Sequence, residues 1–159
     1  MHDRLVKDTM TTKIESQLAS TVMMIRPARF ESNPLTAASN RFQGRSSSPA
    51  EEQHDIALRE FDGLAAALRE AGIEVLVVDD TVEPHTPDAI FPNNWISMHA
   101  DGRVVLYPME AENRRTERRH DIIDYLDKHA RRQVAEVVDL SAHEDAGHFL
   151  EGTGSMVLD

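Results

Sequence analysis

EFDGLAAALREAGIEVLVVDD, residues 60–80, and RRHDIIDYLDKHARRQVAEVVDL, residues 118–140, carry the same order of signals. In the first, Phe61, Leu64, Ala65 and Leu68 continue the spacing set by Ile56, which gives one apolar helical face. Gly72 supplies a stop, and the β-branched run Ile73–Val78 reads as a buried strand. In the second, Ile122, Ile123, Tyr125 and Leu126 mark the inner face of a helix from about Arg115 to Ala130. A strand over Val134–Leu140 follows. Helix-then-strand thus occurs twice, the strands starting about 60 residues apart. Such a repeat predicts a propeller or solenoid of supersecondary units, with a single ordinary α/β domain as the alternative.

Working outward, Ser48-Pro49-Ala50-Glu51 predicts a capping box at the start of the first helix, with Ser48 as N-cap. Thr21–Arg26 (TVMMIR) is a short apolar run closed by Pro27 and reads as a strand. Residues 31–49, rich in Ser, Asn, Pro and Gly, read as a loop, and residues 1–20 as a polar leader. Pro84, Pro87 and Pro92 break the chain after the second strand. Trp95–His99 and Arg103–Tyr107 then predict a hairpin around Asp101-Gly102, a pair favoured in two-residue turns. Each full unit would be strand–strand–helix–strand, with a further strand opening at Gly154–Leu158.

The 159 residues are 40% hydrophobic and 28% charged, which suits one globular domain and argues against global disorder. The net charge of −11 makes a general nucleic-acid binder an unsuitable reading. The cysteine count of 0 excludes disulfides, a thiolate zinc site and a cysteine nucleophile within these residues. No apolar run approaches the ~18 residues of a membrane span, and the leader lacks a signal-peptide core. The expectation is a soluble cytoplasmic protein with no membrane partner.

Three segments could carry chemistry. Thr86–Trp95 (TPDAIFPNNW) fixes one carboxylate, two amides and two aromatics between prolines, which suits a small polar ligand. Its alternative is a turn whose Asp88, Asn93 and Asn94 bond their own backbone. Arg114, Arg115, Arg118 and Arg119 crowd the predicted start of the second helix, where the dipole prefers negative charge, offset by Glu112 and Glu117. They read equally as a carboxylate grip or a solvated face. Phe149–Ser155 (FLEGTGS) places Glu151 against glycines that let a backbone approach a ligand; a strand-entry turn explains it as well. The eight histidines form no metal-ligand spacing, and no metal or cofactor is expected.

Taken together, VMMIRPARF…NPLTAASNRFQ, TPDAIFPNNWISMHADGRVVLYPMEAENRRTERR and FLEGTGSMVLD resemble the arginine deiminase-related, citrulline-utilisation hydrolase branch of the amidinotransferase superfamily. The resemblance implies a five-bladed α/β propeller of ββαβ modules. Residues 21–159 would be its N-terminal part, about two and a half modules. It implies hydrolysis at the central carbon of a guanidino or ureido group by a cysteine nucleophile and a histidine, with no cofactor. Both of those groups would lie outside this chain. Asp88 matches the family's substrate-loop aspartate, with Phe91 beside it. Asn93 and Asn94 stand where dimethylaminohydrolases carry an acidic pair, and amides there fit a neutral ureido group such as that of citrulline. Arg115, or its neighbour Arg114, matches the residue that grips the substrate α-carboxylate, and Arg115→Ala would then penalise amino-acid substrates above decarboxylated analogues. Glu151 matches the glutamate that orients the histidine. Amidinotransfer and a non-catalytic binding module are the alternative functions. The isolated chain is expected to lack hydrolase activity, and to be oligomeric, bound to a complementary half or marginally stable, because an open propeller leaves strand edges unpaired.

Overall fold

The computed structural model describes residues 19–37, 49–130 and 133–156. Strands β1 (Thr21–Arg26) and β2 (Glu74–Asp79) pair in parallel, with Val22 opposite Val75 and Ile25 opposite Val78. Parallel neighbours need a long crossover, and helix α1 (Ala50–Glu70) supplies it. A second sheet has the order β3-β4-β5, formed by Ile96–Met98, Arg103–Leu106 and Glu136–Asp139. Strands β3 and β4 are antiparallel, and β5 returns parallel to β4 after helices α2 (Glu112–Arg115) and α3 (His120–His129). This second unit therefore has the strand–strand–helix–strand order expected from the sequence; the first is strand–helix–strand among the described residues. The architecture is mixed α/β with two small sheets.

The core lies mainly in the second unit. Trp95, Met109, Ile122 and Leu126 are essentially inaccessible, with Ile25, Ile96, Val104 and Leu106 around them. Met23, Leu76 and Val78 pack against this cluster from the first sheet, so one apolar core joins the two units.

Several local expectations are corrected. Helix α1 begins at Ala50 with Pro49, rather than Ser48, at the N-cap position. Pro49 is in an extended conformation (φ −54°, ψ 149°), and its carbonyl accepts the first helical bond, from Gln53 at 3.1 Å. Ser48 lies outside the described residues. The helix does stop as predicted, with the Gly72 and Ile73 N–H groups bonded back to Arg69 and Leu68. Its apolar face is only partly covered: Ala65 is buried, whereas Ile56 and Leu64 are exposed. The hairpin loop has three residues rather than two. His99 and Arg103 close it, the Gly102 N–H bonds the His99 carbonyl, and Gly102 sits at φ 87°, the type I turn with a glycine bulge.

The predicted helix from Arg115 to Ala130 is two helices, α2 and α3, separated by Thr116–Arg119. Arg114 and Arg115 thus end the single turn of α2, whereas Arg118 and Arg119 stand at the start of α3, with Arg119 as its N-cap, so the crowding of cations at a helix start is confined to those two. Gly152–Ser155 forms one helical turn, α4, instead of opening a strand at Gly154. Met156 beyond it is extended, and Val157–Asp159 lie outside the described residues, as does the leader up to residue 18. Ser20, assigned to the leader, accepts a backbone bond from Glu74 and so belongs to the sheet.

Candidate functional site

The loop from Thr86 to Trp95 is shaped by its own backbone. The Ala89 N–H bonds the Thr86 carbonyl, Phe91 bonds Asp88, and Asn94 and Trp95 bond Phe91 and Pro92 in a short 3-10 turn, Pro92–Asn94. Trp95, 1% exposed, anchors its end in the core. The Thr86 hydroxyl donates to Asp80 at 2.8 Å, tying the start of the loop to the end of β2. So fixed, the loop presents Asp88 to two other segments, those of Asn33 and Arg114.

Asp88 Oδ2 accepts from Asn33 Nδ2 at 2.6 Å. Asn33 is itself 1% exposed; its Oδ1 accepts from Asn113 Nδ2 at 2.9 Å and from the Leu35 N–H. Arg114 lies beside them with its side chain 6% exposed. Its Nε and Nη2 donate to the two Glu117 oxygens, each at 3.0 Å. Nη1 donates to Asn94 Oδ1 at 3.3 Å, and Nη2 also reaches the Phe91 carbonyl at 3.4 Å. Asp88 and Glu151 each stand 3.8 Å from the guanidinium. Glu151 also accepts the Glu110 N–H.

The electrostatics follow from this ring. Burial opposes the charge on Arg114, but hydrogen bonding to Glu117 and the fields of Glu117, Asp88 and Glu151 outweigh it, so the guanidinium is held charged. Burial dominates for Glu117 and pushes its carboxyl up to about 7, with Arg114 pulling the other way and Asp88 and Asp80 adding repulsion.

Of the residues singled out in the sequence, Asp88, Phe91, Asn94, Arg114 and Glu151 converge on this one place. Asn93 is adjacent: Gly152 packs against the Asn93 and Asn94 carbonyls. Arg115 points elsewhere. Its Nε donates to the Met109 carbonyl at 3.0 Å and lies 3.4 Å from Glu144, and its guanidinium faces the Phe149 ring at 5.8 Å. Arg118 pairs with both Glu144 oxygens. Sequence reading assigned no site role to Asn33, Asn113 or Glu117. For Glu117 the signal was only its charge among the arginines; it lies three residues from Arg114, in the turn after α2. For Asn33, 55 residues from Asp88, there was none. No cluster able to hold a metal occurs among the described residues.

A groove of about 1050 Å³ opens beside the cluster. Asn33, Asp88, Phe91 and Asn93 belong to its lining, together with residues of β1, α1 and β3 that are mostly apolar. Asp88 is therefore both tied into the polar ring and in contact with open space.

The model of the family described as N,N dimethylarginine dimethylhydrolase, eukaryotic, matches residues 26–159. The chain belongs to this dimethylarginine dimethylhydrolase family. That places it in the amidinotransferase superfamily, as the sequence resemblance implied. The matched span contains the Asp88 loop, α2 and Glu151, so the polar ring lies inside the family's region. No curated protein and no solved structure matches the chain. No helix among the described residues is long and apolar enough to cross a membrane.

Gly152 determines how this family segment docks. It adopts φ 35°, and an added Cβ would fall well inside contact distance of the Asn93 carbonyl oxygen and 3.0 Å from that of Asn94. Backbone cannot yield as a side-chain tip would. Gly152→Ala is expected to cost about 1–3 kcal/mol and to undock Glu151 from the ring. Trp95, the single tryptophan, adjoins that turn, so urea unfolding followed by its fluorescence reads both effects. An unchanged midpoint and emission maximum would refute the docking role.

Proposed function

We propose that this chain is the substrate-binding part of a hydrolase acting on the C–N bonds of a linear amidine or ureido amino acid. The observation that carries the reading is the convergence of Asp88, Asn94 and Glu151 on one ring inside the span matched by a dimethylarginine dimethylhydrolase family model. We assign the chain to the citrulline-utilising branch, as the N-terminal part of a five-module propeller, and the second unit's strand order supports that architecture. Asp88 accepts N–H bonds from the substrate head group. Asn93, in the groove lining, supplies both donor and acceptor, with Asn94 beside it bonded through Oδ1 to Arg114, and an amide there favours a neutral ureido group over a guanidinium. Arg115, whose contacts are with carbonyls, one carboxylate and a ring, is the arginine more open to a substrate α-carboxylate, because the donors of Arg114 are engaged within the ring.

The covalent step needs a cysteine outside these residues, since the chain contains 0 cysteines, and we place its histidine there with it, as the family resemblance implies. The thiolate attacks the central carbon, ammonia or an amine leaves with a proton, and water then cleaves the carbon–sulfur bond to regenerate the thiol. Glu151 orients the histidine in that scheme.

Two results test the reading. Calorimetric titration of the chain with L-citrulline and N,N-dimethylarginine should show citrulline binding the tighter, with Asp88→Asn lowering its affinity at least tenfold. An ammonia assay with both compounds and arginine should show no turnover by the chain alone. Turnover abolished by Asp88→Asn would overturn the division of labour, and absence of binding by either compound would overturn the substrate assignment.

A further inference from the structure

Arg114 has five N–H donors. Two are spent on Glu117, one on Asn94, and the Nη2 group shares itself with the Phe91 carbonyl. Asp88 and Glu151 feel the charge from 3.8 Å but receive none of these bonds. The arrangement is informative because a buried guanidinium among three carboxylates would ordinarily bond whichever is nearest. Glu117, with its side chain 1% exposed and three residues along the chain from Arg114, has the fixed bidentate geometry and takes that place. Asp88 and Glu151, at 18% and 27% side-chain exposure, are the two acids left facing open space.

We propose that Glu117 is a positioning residue: by occupying Arg114 Nε and Nη2 it keeps the guanidinium off Asp88 and Glu151, so that both carboxylates stay open to the N–H groups of a ureido or guanidino substrate. This rests on the reading of Asp88 and Glu151 as ligand-facing. Without the Glu117 carboxylate, Arg114 Nε turns the 3.8 Å separation from Asp88 into a hydrogen bond, and the guanidinium, no longer anchored through Nε and Nη2, swings Nη1 toward Glu151. The site then bonds to itself. Asn33, bonded to Asp88 Oδ2, and Asn94, bonded to Arg114 Nη1, keep the two segments in place while the guanidinium rotates.

The measurement is coupling across hydrogen bonds between guanidinium nitrogens and carboxyl carbons in the isotope-labelled chain, read without ligand. In the wild type, Arg114 should couple to the Glu117 carboxyl and to neither Asp88 nor Glu151. In Glu117→Gln, coupling should appear to Asp88 or Glu151, and L-citrulline affinity should fall at least tenfold. A role confined to stability would shift the unfolding midpoint and move neither readout. A folded Glu117→Gln in which Asp88 and Glu151 remain uncoupled overturns the proposal, as does coupling to either acid in the wild type. Should Glu117→Gln not fold, Glu117→Asp decides: coupling must stay on residue 117, and its appearance on Asp88 or Glu151 overturns the proposal. A wild-type chain that binds no citrulline refutes the substrate reading alone, because the coupling pattern is measured without it.

Discussion

Arg114→Leu should destabilise the chain by about 3–5 kcal/mol, the usual cost of removing one partner from a buried ion pair. The loss is larger than one salt bridge suggests because Arg114 joins three segments, its own turn, the Thr86–Trp95 loop and the Glu151 segment. It bonds Glu117 at two points, the Asn94 side chain and the Phe91 carbonyl, and its charge sits 3.8 Å from Asp88 and from Glu151. Leucine leaves Glu117 buried at 4% exposure with no cation, beside Asp88 and within the field of Asp80. Part of the penalty is avoidable by protonation, so the loss should be smaller at pH 6 than at pH 8. A second substitution separates the desolvation penalty from the value of the pair. Replacing both charges, Arg114→Leu with Glu117→Leu, should recover at least half of the loss, since two apolar side chains leave nothing unpaired. Denaturant unfolding of the two single variants and the double variant at both pH values gives the cycle. A single-variant loss below about 1 kcal/mol would mean that the ring contributes little to holding the loop, α2 and Glu151 together.

What the sequence disclosed of this architecture follows from the range of each interaction. Strands β1 and β2 and the body of α1 were legible because apolar periodicity and breakers are local. Tyr125 shows the limit of that reading. Placed inside by its spacing, it is half-buried and stacks on His129 at 4.2 Å between ring centres. The division between α2 and α3 was not legible, because ENRR and HDIIDYLDKH join without Pro or Gly to mark the break. The break is imposed by tertiary partners: Arg118 turns to Glu144 and the Tyr107 carbonyl, while Arg119 reaches the Asp79 carbonyl at 2.8 Å. Those contacts pull the chain out of one helix. The site divides in the same way. Asp88, Asn94 and Glu151 were found from rigid turns and glycines, which are sequence-local. Glu117 was visible only as a charge offsetting arginines; its burial depends on Phe91, Asn94 and Asp88 arriving from 20 or more residues away, as the Arg114–Asn94 separation shows.

Stability should fall as pH rises from about 4.5 to about 7, and Glu117 is the group responsible. In the unfolded chain its carboxyl titrates near the ordinary value of 4.5; folded, burial lifts it to about 7. The folded state therefore holds more protons between these values, and the slope of stability against pH is negative there. The contribution is fully present below the unfolded value and is lost once pH passes the folded one, the reverse of a surface carboxylate paired with an arginine. Asp121 supplies that contrast within the same chain: its hydrogen bond to Arg119 holds its carboxyl below the usual range, so its small contribution is lost toward acid. A rise of this size corresponds to about 2–3 kcal/mol between pH 5 and pH 8, taking about 1.4 kcal/mol per unit, since part of the titration of the unfolded chain lies below pH 5. Glu117→Gln removes the titration while keeping the shape, so the quantity to measure is the wild-type unfolding free energy minus that of the variant. It should drop by that amount from pH 5 to pH 8 in urea titrations. A difference that is flat with pH, or that grows toward pH 8, would mean that the Arg114 bonds outweigh burial and that Glu117 is ionised throughout.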